Sequence, residues 1–266
     1  MNDTQGTGFI ESYYNAFDEE GRLLSRHGQV EYLTTMKYIA EYLSGTEDPR
    51  ILEVGAGTGR YSVTLAKMGY PVTAVELVSR NLEKLKDKLD GTERIEAYLG
   101  NALELSFLEY GAFDLTLLLG PMYHLYTRED KLRALSEAVR VTKPGGIIMV
   151  AYCMNEPTVI QYVFIGKHVR ETLEAGLLTP DWHCKSEPKE VFELVRTEDI
   201  ASLDQELPAE RLKLIAADGA AHYLRDTIDA MDDEEFEKWK EYHFATCERG
   251  DLIGASNHVL DILRKK

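Results

Sequence analysis

The sequence predicts an α/β fold, a mostly parallel sheet of seven strands with helices on both faces. Three observations carry that expectation. Short apolar runs alternate with amphipathic stretches of about ten residues between Ile51 and Tyr152. A glycine-rich turn, Gly55-Ala56-Gly57-Thr58-Gly59, joins the first such run to the first amphipathic stretch. At 266 residues and 44% apolar content, the chain can bury one large core.

Taken in order, residues Gly8–Phe17 read as a short helical segment. In Glu31–Leu43, Leu33, Met36, Ile39, Ala40 and Leu43 recur at helical spacing. Strands follow at ILEV (51–54), VTAVE (72–76), IEAYLG (95–100), FDLTLLL (113–119) and GIIMVAY (146–152), with helices at about 60–68, 80–89 and 128–141. Ser79 is placed to cap the second of these helices, and Thr127 with Asp130 forms a capping-box pattern for the third. Lys143-Pro144-Gly145-Gly146 reads as a sharp turn into the fifth strand. Beyond Tyr152 the alternation breaks. Residues 155–180 read as helix and loop punctuated by Pro157 and Pro180, and Thr197 is placed as the cap of a helix with an acidic first turn. Strands are expected at 211–217 and 257–263, and helices over Ala220–Met231 and Asp232–Cys247. The four acids Asp232–Glu235 fit a helix N-terminus better than a ligand cluster.

The glycine turn points to a nucleotide-type cofactor. Glycine lets a ligand approach bare backbone, and the following helix aims its unpaired N–H groups at the same spot. Glu76 lies seventeen residues beyond Gly59, at the tip of the next strand, where a carboxylate accepts from a ribose diol. A dinucleotide fingerprint would need its third glycine where Arg60 stands, which counts against a dehydrogenase. Glu53, two residues before the first glycine, favours a cationic ligand without phosphate, and S-adenosylmethionine (SAM) carries a sulfonium and an ammonium.

With these residues in view, the segment from Glu53 to Gly59 resembles motif I of the class I SAM-dependent methyltransferases. The resemblance covers about residues 48–152 and the two later strands. LGPMYHL (119–125) and the N-terminal pattern of Tyr13, Tyr14, Asn15, Arg22, Leu23, Arg26, His27, Gly28, Glu31 and Tyr32 are similar to a group of bacterial small-molecule methyltransferases. It implies a Rossmann-like sheet whose last strand is antiparallel. The methyltransferase domain would span 45–266, with a helical cap segment at 1–44 and cap insertions at about 153–190 and 218–253. SAM is the implied cofactor and S-adenosylhomocysteine its product. Glu53, Val54, Gly55, Ala56 and Gly57 would hold the methionine portion, Glu76 the ribose and Leu77 the adenine. Asn101-Ala102 stand where the family commonly has Asp-Ala, so the Asn101 carbonyl would accept from the adenine amino group. Leu119-Gly120 would complete the cofactor site. His124 or His27 would be the general base, and Tyr13, Tyr14, Arg26 and Tyr123 would line the acceptor cap.

The bulk properties narrow the acceptor. Net charge is -16, and residues 181–251 hold 20 acidic against 9 basic side chains, a net of -11. Such a field repels nucleic acid, which counts against a tRNA acceptor more than a protein one. No apolar run reaches the roughly 18 residues that span a bilayer. The N-terminal segment lacks the pattern of a secretory signal, and the cysteines at 153, 184 and 247 are odd in number and far apart, so a cytoplasmic chain is expected. His183, Cys184, His222, His243 and His258 show no metal-ligand spacing, so packing or surface roles and no metal site are expected. The expected partners are a small-molecule substrate and a second copy of the chain in a homodimer, with neither nucleic acid nor membrane. A SAM-binding regulator without turnover is the alternative from another functional class.

Overall fold

The computed structural model describes residues 25–187 and 192–266. The helix expected at 8–17, and with it Tyr13 and Tyr14, lies outside the described residues. Helix α1 (Arg26–Leu43) begins five residues earlier than its apolar periodicity suggests. Ser25 caps it, its hydroxyl accepting from Gly28 N–H at 3.2 Å.

The alternating region forms β1 (Ile51–Val54), α2 (Arg60–Lys67), β2 (Val72–Glu76), α3 (Ser79–Asp87), β3 (Ile95–Leu99) and β4 (Phe113–Leu118). A 3-10 turn (Pro121–His124), α4 (Arg128–Val141) and the long β5 (Thr142–Met154) follow. After β5 come α5 (Asn155–Thr158), a π-helical turn (Val159–Ile165), α6 (Val169–Glu174), the two-residue β6 (Leu194–Val195) and α7 (Thr197–Asp204). The chain closes with β7 (Ala209–Ala216), α8 (Arg225–Asp229), α9 (Asp233–Thr246), α10 (Gly250–Ile253) and β8 (His258–Lys265).

The sheet runs β3-β2-β1-β4-β5-β8-β7, with β6 paired to the end of β5. β1 to β5 are parallel, and β8 is antiparallel to both β5 and β7. β1 and β2 are buried throughout, as expected of strands covered on two faces. Right-handed crossovers from β1 towards β3 and from β4 to β5 run in opposite directions, so α2 and α3 cover one face and α4 the other. The strand order reverses between β1 and β4, which opens a crevice at their carboxyl ends.

Four local expectations need correction. Ser79 is the first helical residue of α3, and Val78 occupies the cap position without a side-chain bond. Arg196, not Thr197, precedes α7, and its N–H donates to Asp199 at 2.8 Å. Lys143–Gly146 do not turn into a strand but bulge within one. Thr142 pairs with Phe113 and Ile147 with Leu115, so β5 advances five residues where β4 advances two. The helix expected from Ala220 starts at Arg225.

Candidate active site

The crevice between β1 and β4 is built by close backbone packing. Gly55, Gly57 and Gly59 all have positive φ, at 76°, 55° and 87°. A Cβ on Gly55 would lie 2.7 Å from Pro121 Cδ, and one on Gly120 would lie 3.2 Å from the Gly55 carbonyl oxygen. The turn after β1 and the Gly120-Pro121 turn after β4 therefore touch directly. A Cβ on Gly59 would strike Leu85 and Val63, so this glycine fits α2 against α3. Gly57 differs: a Cβ there meets nothing within 4 Å, so its backbone faces open space at the amino end of α2.

Two buried carboxylates hold this turn. Glu53 is 2% exposed, and its Oε2 accepts the Ser62 N–H at 2.8 Å and the Ser62 hydroxyl. It thus caps α2 from inside β1 rather than standing open in the crevice. Burial pushes its carboxyl up to about 8, against the Ser62 bonds, with the nearby Glu76 charge adding to the rise. Glu76 Oε2 accepts the Gly57 N–H at 2.7 Å, and its Oε1 accepts the Val78 N–H at 2.9 Å, which ties the end of β2 to the glycine turn. Burial raises its carboxyl as well. Asn81 Nδ2 also donates to Oε1, at 3.5 Å, so of about four acceptor sites Oε2 keeps one for a ribose hydroxyl, and the long Asn81 contact is the one a second hydroxyl would displace.

The other expected cofactor residues border the same edge. Leu77 is half-buried, Ala102 is buried, and Val54 and Ala56 are core residues beneath the turn. Asn101 Oδ1 already accepts the Leu103 N–H at 3.0 Å in an Asx turn, so only its second lone pair is left for an adenine amino group. Leu119 is half-buried, and its carbonyl accepts the Tyr123 hydroxyl at 3.0 Å.

The acceptor side is more spread out. His124 lies in the 3-10 turn, with ring centroids 4.9 Å from Tyr123 and 5.7 Å from Phe192. His27 Nδ1 sits 2.7 Å from Asp229 Oδ2, while its backbone N–H donates to the same carboxylate at 3.0 Å. Arg26 does not face the crevice. Its guanidinium pairs with Asp233 at 2.8 Å and stacks over Phe236, so it fastens α1 to α9. The Asp232–Glu235 acids behave as expected, with Asp232 and Glu235 closing a capping box on α9.

One cluster runs against the expectation for the histidines. Asp218, just past β7, is fully buried. His258 Nδ1 is 2.7 Å and His222 Nε2 3.5 Å from Asp218 Oδ2, and Glu31 Oε2 lies 3.3 Å from His258 Nδ1. His222 and His258 thus share a site at the carboxyl edge of the sheet rather than serving as separate packing residues. The sequence signal was indirect: Asp218 and His222 are four apart, but only the Ala216–Val259 register of β7 and β8 brings residue 258 alongside. His243 does have a packing role, with Nε2 2.9 Å from the Thr34 hydroxyl.

Residues 51–146 match a family described as "Methyltransferase domain". The chain is 27% identical to the ubiquinone biosynthesis O-methyltransferase of Methylocella silvestris over 184 residues, which span 69% of each protein. It is 29% identical to the demethylmenaquinone methyltransferase of Clavibacter sepedonicus over 154 residues, 58% of this chain and 60% of that one. A Thermotoga maritima SAM-dependent methyltransferase, described as a possible histamine N-methyltransferase, has the same fold with a TM-score of 0.58 at 20% identity, covering 97% of this chain and 99% of that one. The glycine turn, its two buried carboxylates and these relatives mark residues 51–146 as a methyltransferase domain of the class I SAM-dependent kind, which takes SAM as its cofactor.

Proposed function

We propose that the chain transfers the SAM methyl group to a small-molecule acceptor held beneath a cap made of α1, the segment after β5 and the segment between β7 and β8. The observation that carries this reading is the way those three segments interlock over the carboxyl edge. Asp229 holds His27, Arg225 donates to Gln161 at 3.0 Å, and the Gln161 amide reaches Asn257 at 3.4 Å. A roof built from segments so distant in sequence excludes water and favours an acceptor small enough to be enclosed. The net charge of -16 supports the same reading by disfavouring nucleic acid.

In this reading Glu76 takes the ribose hydroxyls, the Gly57 backbone admits the methionine portion, and the buried Glu53 charge balances the ligand's cations. Bound SAM supplies an electrophilic methyl carbon: the acceptor's lone pair forms the new bond while the carbon–sulfur electrons return to sulfur. The protein aligns the acceptor, excludes water and removes its proton. His27 is the better placed base, because Asp229 fixes its Nδ1 and so assigns proton transfer to Nε2. His124, among Tyr123 and Phe192, would line the acceptor with Tyr123. The names of the two curated relatives make an aromatic hydroxyl of the quinone-precursor type the first acceptor to test. The test is S-adenosylhomocysteine release, followed by mass spectrometry, with catechols, hydroquinones and primary amines. Turnover with one of these classes is expected. SAM that binds but is never consumed with any acceptor would instead mark a regulator.

A further inference from the structure

We propose that Asp218, His222 and His258 form a binding site for a divalent metal ion of the zinc class, at the carboxyl edge of β7 and β8. One ligand atom from each residue lies within 4.8 Å of the other two. The separations from Asp218 Oδ2, 2.7 Å to His258 Nδ1 and 3.5 Å to His222 Nε2, bracket the ~3.3 Å edge of a tetrahedron whose metal–ligand distances are about 2.0–2.1 Å. Two imidazoles and one carboxylate suit zinc and its neighbours better than the all-oxygen shells of calcium or magnesium. Three protein ligands leave a fourth position open, as in metal sites that take up a further small ligand.

The surroundings hold the ligand atoms in place, as outer-shell partners of a metal site do. Asp218 Oδ1 is occupied by the Ser256 hydroxyl at 2.7 Å and the His258 N–H at 3.0 Å, which turns Oδ2 towards the two histidines. His27 meets His222 edge-on, with ring centroids 5.5 Å apart. Glu31 Oε2, 3.3 Å from His258 Nδ1, adds negative charge that favours a cation.

The place has a bearing on function. β8 is three strands from β1 in the sheet, so the cluster lies on the same edge as the glycine turn, about 14 Å away at ~4.8 Å per strand. It therefore borders the chamber assigned above to the acceptor. An ion there would offer its open position to an acceptor oxygen or nitrogen. This last step rests on the methyltransferase reading, whereas the metal site itself does not.

The test is metal binding without SAM or acceptor. The full chain is stripped with a chelator and dialysed, then titrated with Co2+ by visible absorption and with Zn2+ by calorimetry. One ion per chain is expected, with micromolar or tighter Kd and cobalt d–d bands. His222→Ala should weaken binding at least 100-fold while leaving the far-UV spectrum and SAM affinity unchanged. His258→Ala removes the partner of a buried carboxylate and can unfold the chain, so His222→Ala decides. Failure to bind below about 1 mM would overturn the site and leave the hydrogen-bonded Asp–His cluster as the whole account. Equal affinity in His222→Ala would overturn it too. A chain that binds Co2+ but not SAM would sink the methyltransferase reading alone.

Discussion

At the scale of single residues, the three glycines of the turn do different work. Gly59 packs α2 against α3, whereas Gly57 faces open space. Gly59→Ala should therefore cost about 3 kcal/mol, from left-handed backbone and overpacking against Leu85 and Val63. Gly57→Ala should cost about 1 kcal/mol but weaken SAM binding more than tenfold, because its methyl group enters the ligand's space. Chemical denaturation and calorimetry separate the two, and equal losses of stability would refute the division. Glu53 leads to a pH prediction. Burial pushes its carboxyl up to about 8, well above the ordinary 4.5 of a glutamate, so the fold holds an extra proton between those values. Stability from this group is complete below about 4.5 and is lost as pH rises through 8. Asp261, also raised by burial, adds the same slope to wild type and variants. A cationic ligand over the turn lowers the Glu53 value, so SAM binding near pH 7 should release a fraction of a proton. Calorimetry in buffers of different ionisation enthalpy reads that release, and Glu53→Gln should abolish it. The same buffer dependence in both proteins would show that the proton comes from elsewhere.

At the scale of elements, caps show where sequence signals hold and where they mislead. Thr127 accepts the Asp130 N–H at 3.1 Å, so Thr127→Ala should cost about 1 kcal/mol. Ser79, exposed at the first helical position of α3, should tolerate alanine within about 0.5 kcal/mol. Thermal unfolding of the two variants checks this, and an equal loss in Ser79→Ala would restore it as a cap. The central strands were legible because β1, β2 and β4 are buried on two faces and so read as near-continuous apolar runs, whereas the edge strand β3 is largely exposed and shows apolar residues mixed with polar ones. The start of α1 was not, because Arg26–Gln29 carry no apolar period and the helix is set by the Ser25 cap. The bulge at 143–146 reads as a turn in the sequence because Pro144 and Gly145 give the same local signal in either setting. In the site, the glycine turn and Glu76 were legible because their chemistry is local to one βα unit. Nothing in the sequence turned Glu53 towards Ser62, and nothing joined Asp218 to a histidine forty residues away. Both follow from which strand lies next to which.

For the whole molecule, the outer part of the cap rests on its own apolar cluster, while Tyr38, Ile39 and Leu43 in the second half of α1 join the main core with the sheet. Val30 of α1 packs with Ala221, Ile228 and Phe236, apart from the main core around β1, β4 and β5. Polar ties reinforce this small cluster: His27 to Asp229 and Arg26 to Asp233, over the Phe236 ring. A small cluster with few contacts should open at a lower free energy than the sheet beneath it. Phe236 is 6% exposed, so Phe236→Ala removes a buried ring and should cost this cluster about 3 kcal/mol. The cost should fall on the cap. Hydrogen exchange followed by mass spectrometry should speed up across 26–34 and 221–242 while β1, β4, β5 and the second half of α1 keep their protection. Because Glu76, Gly57 and Gly120 stand on the sheet, SAM affinity should change less than threefold. Turnover of any small acceptor should fall at least tenfold, since enclosure over the carboxyl edge is what the variant loses. Uniform faster exchange across sheet and cap would show that α1 and α9 form one cooperative unit with the core. Full turnover with a loosened cap would show that enclosure by these helices does not select the acceptor.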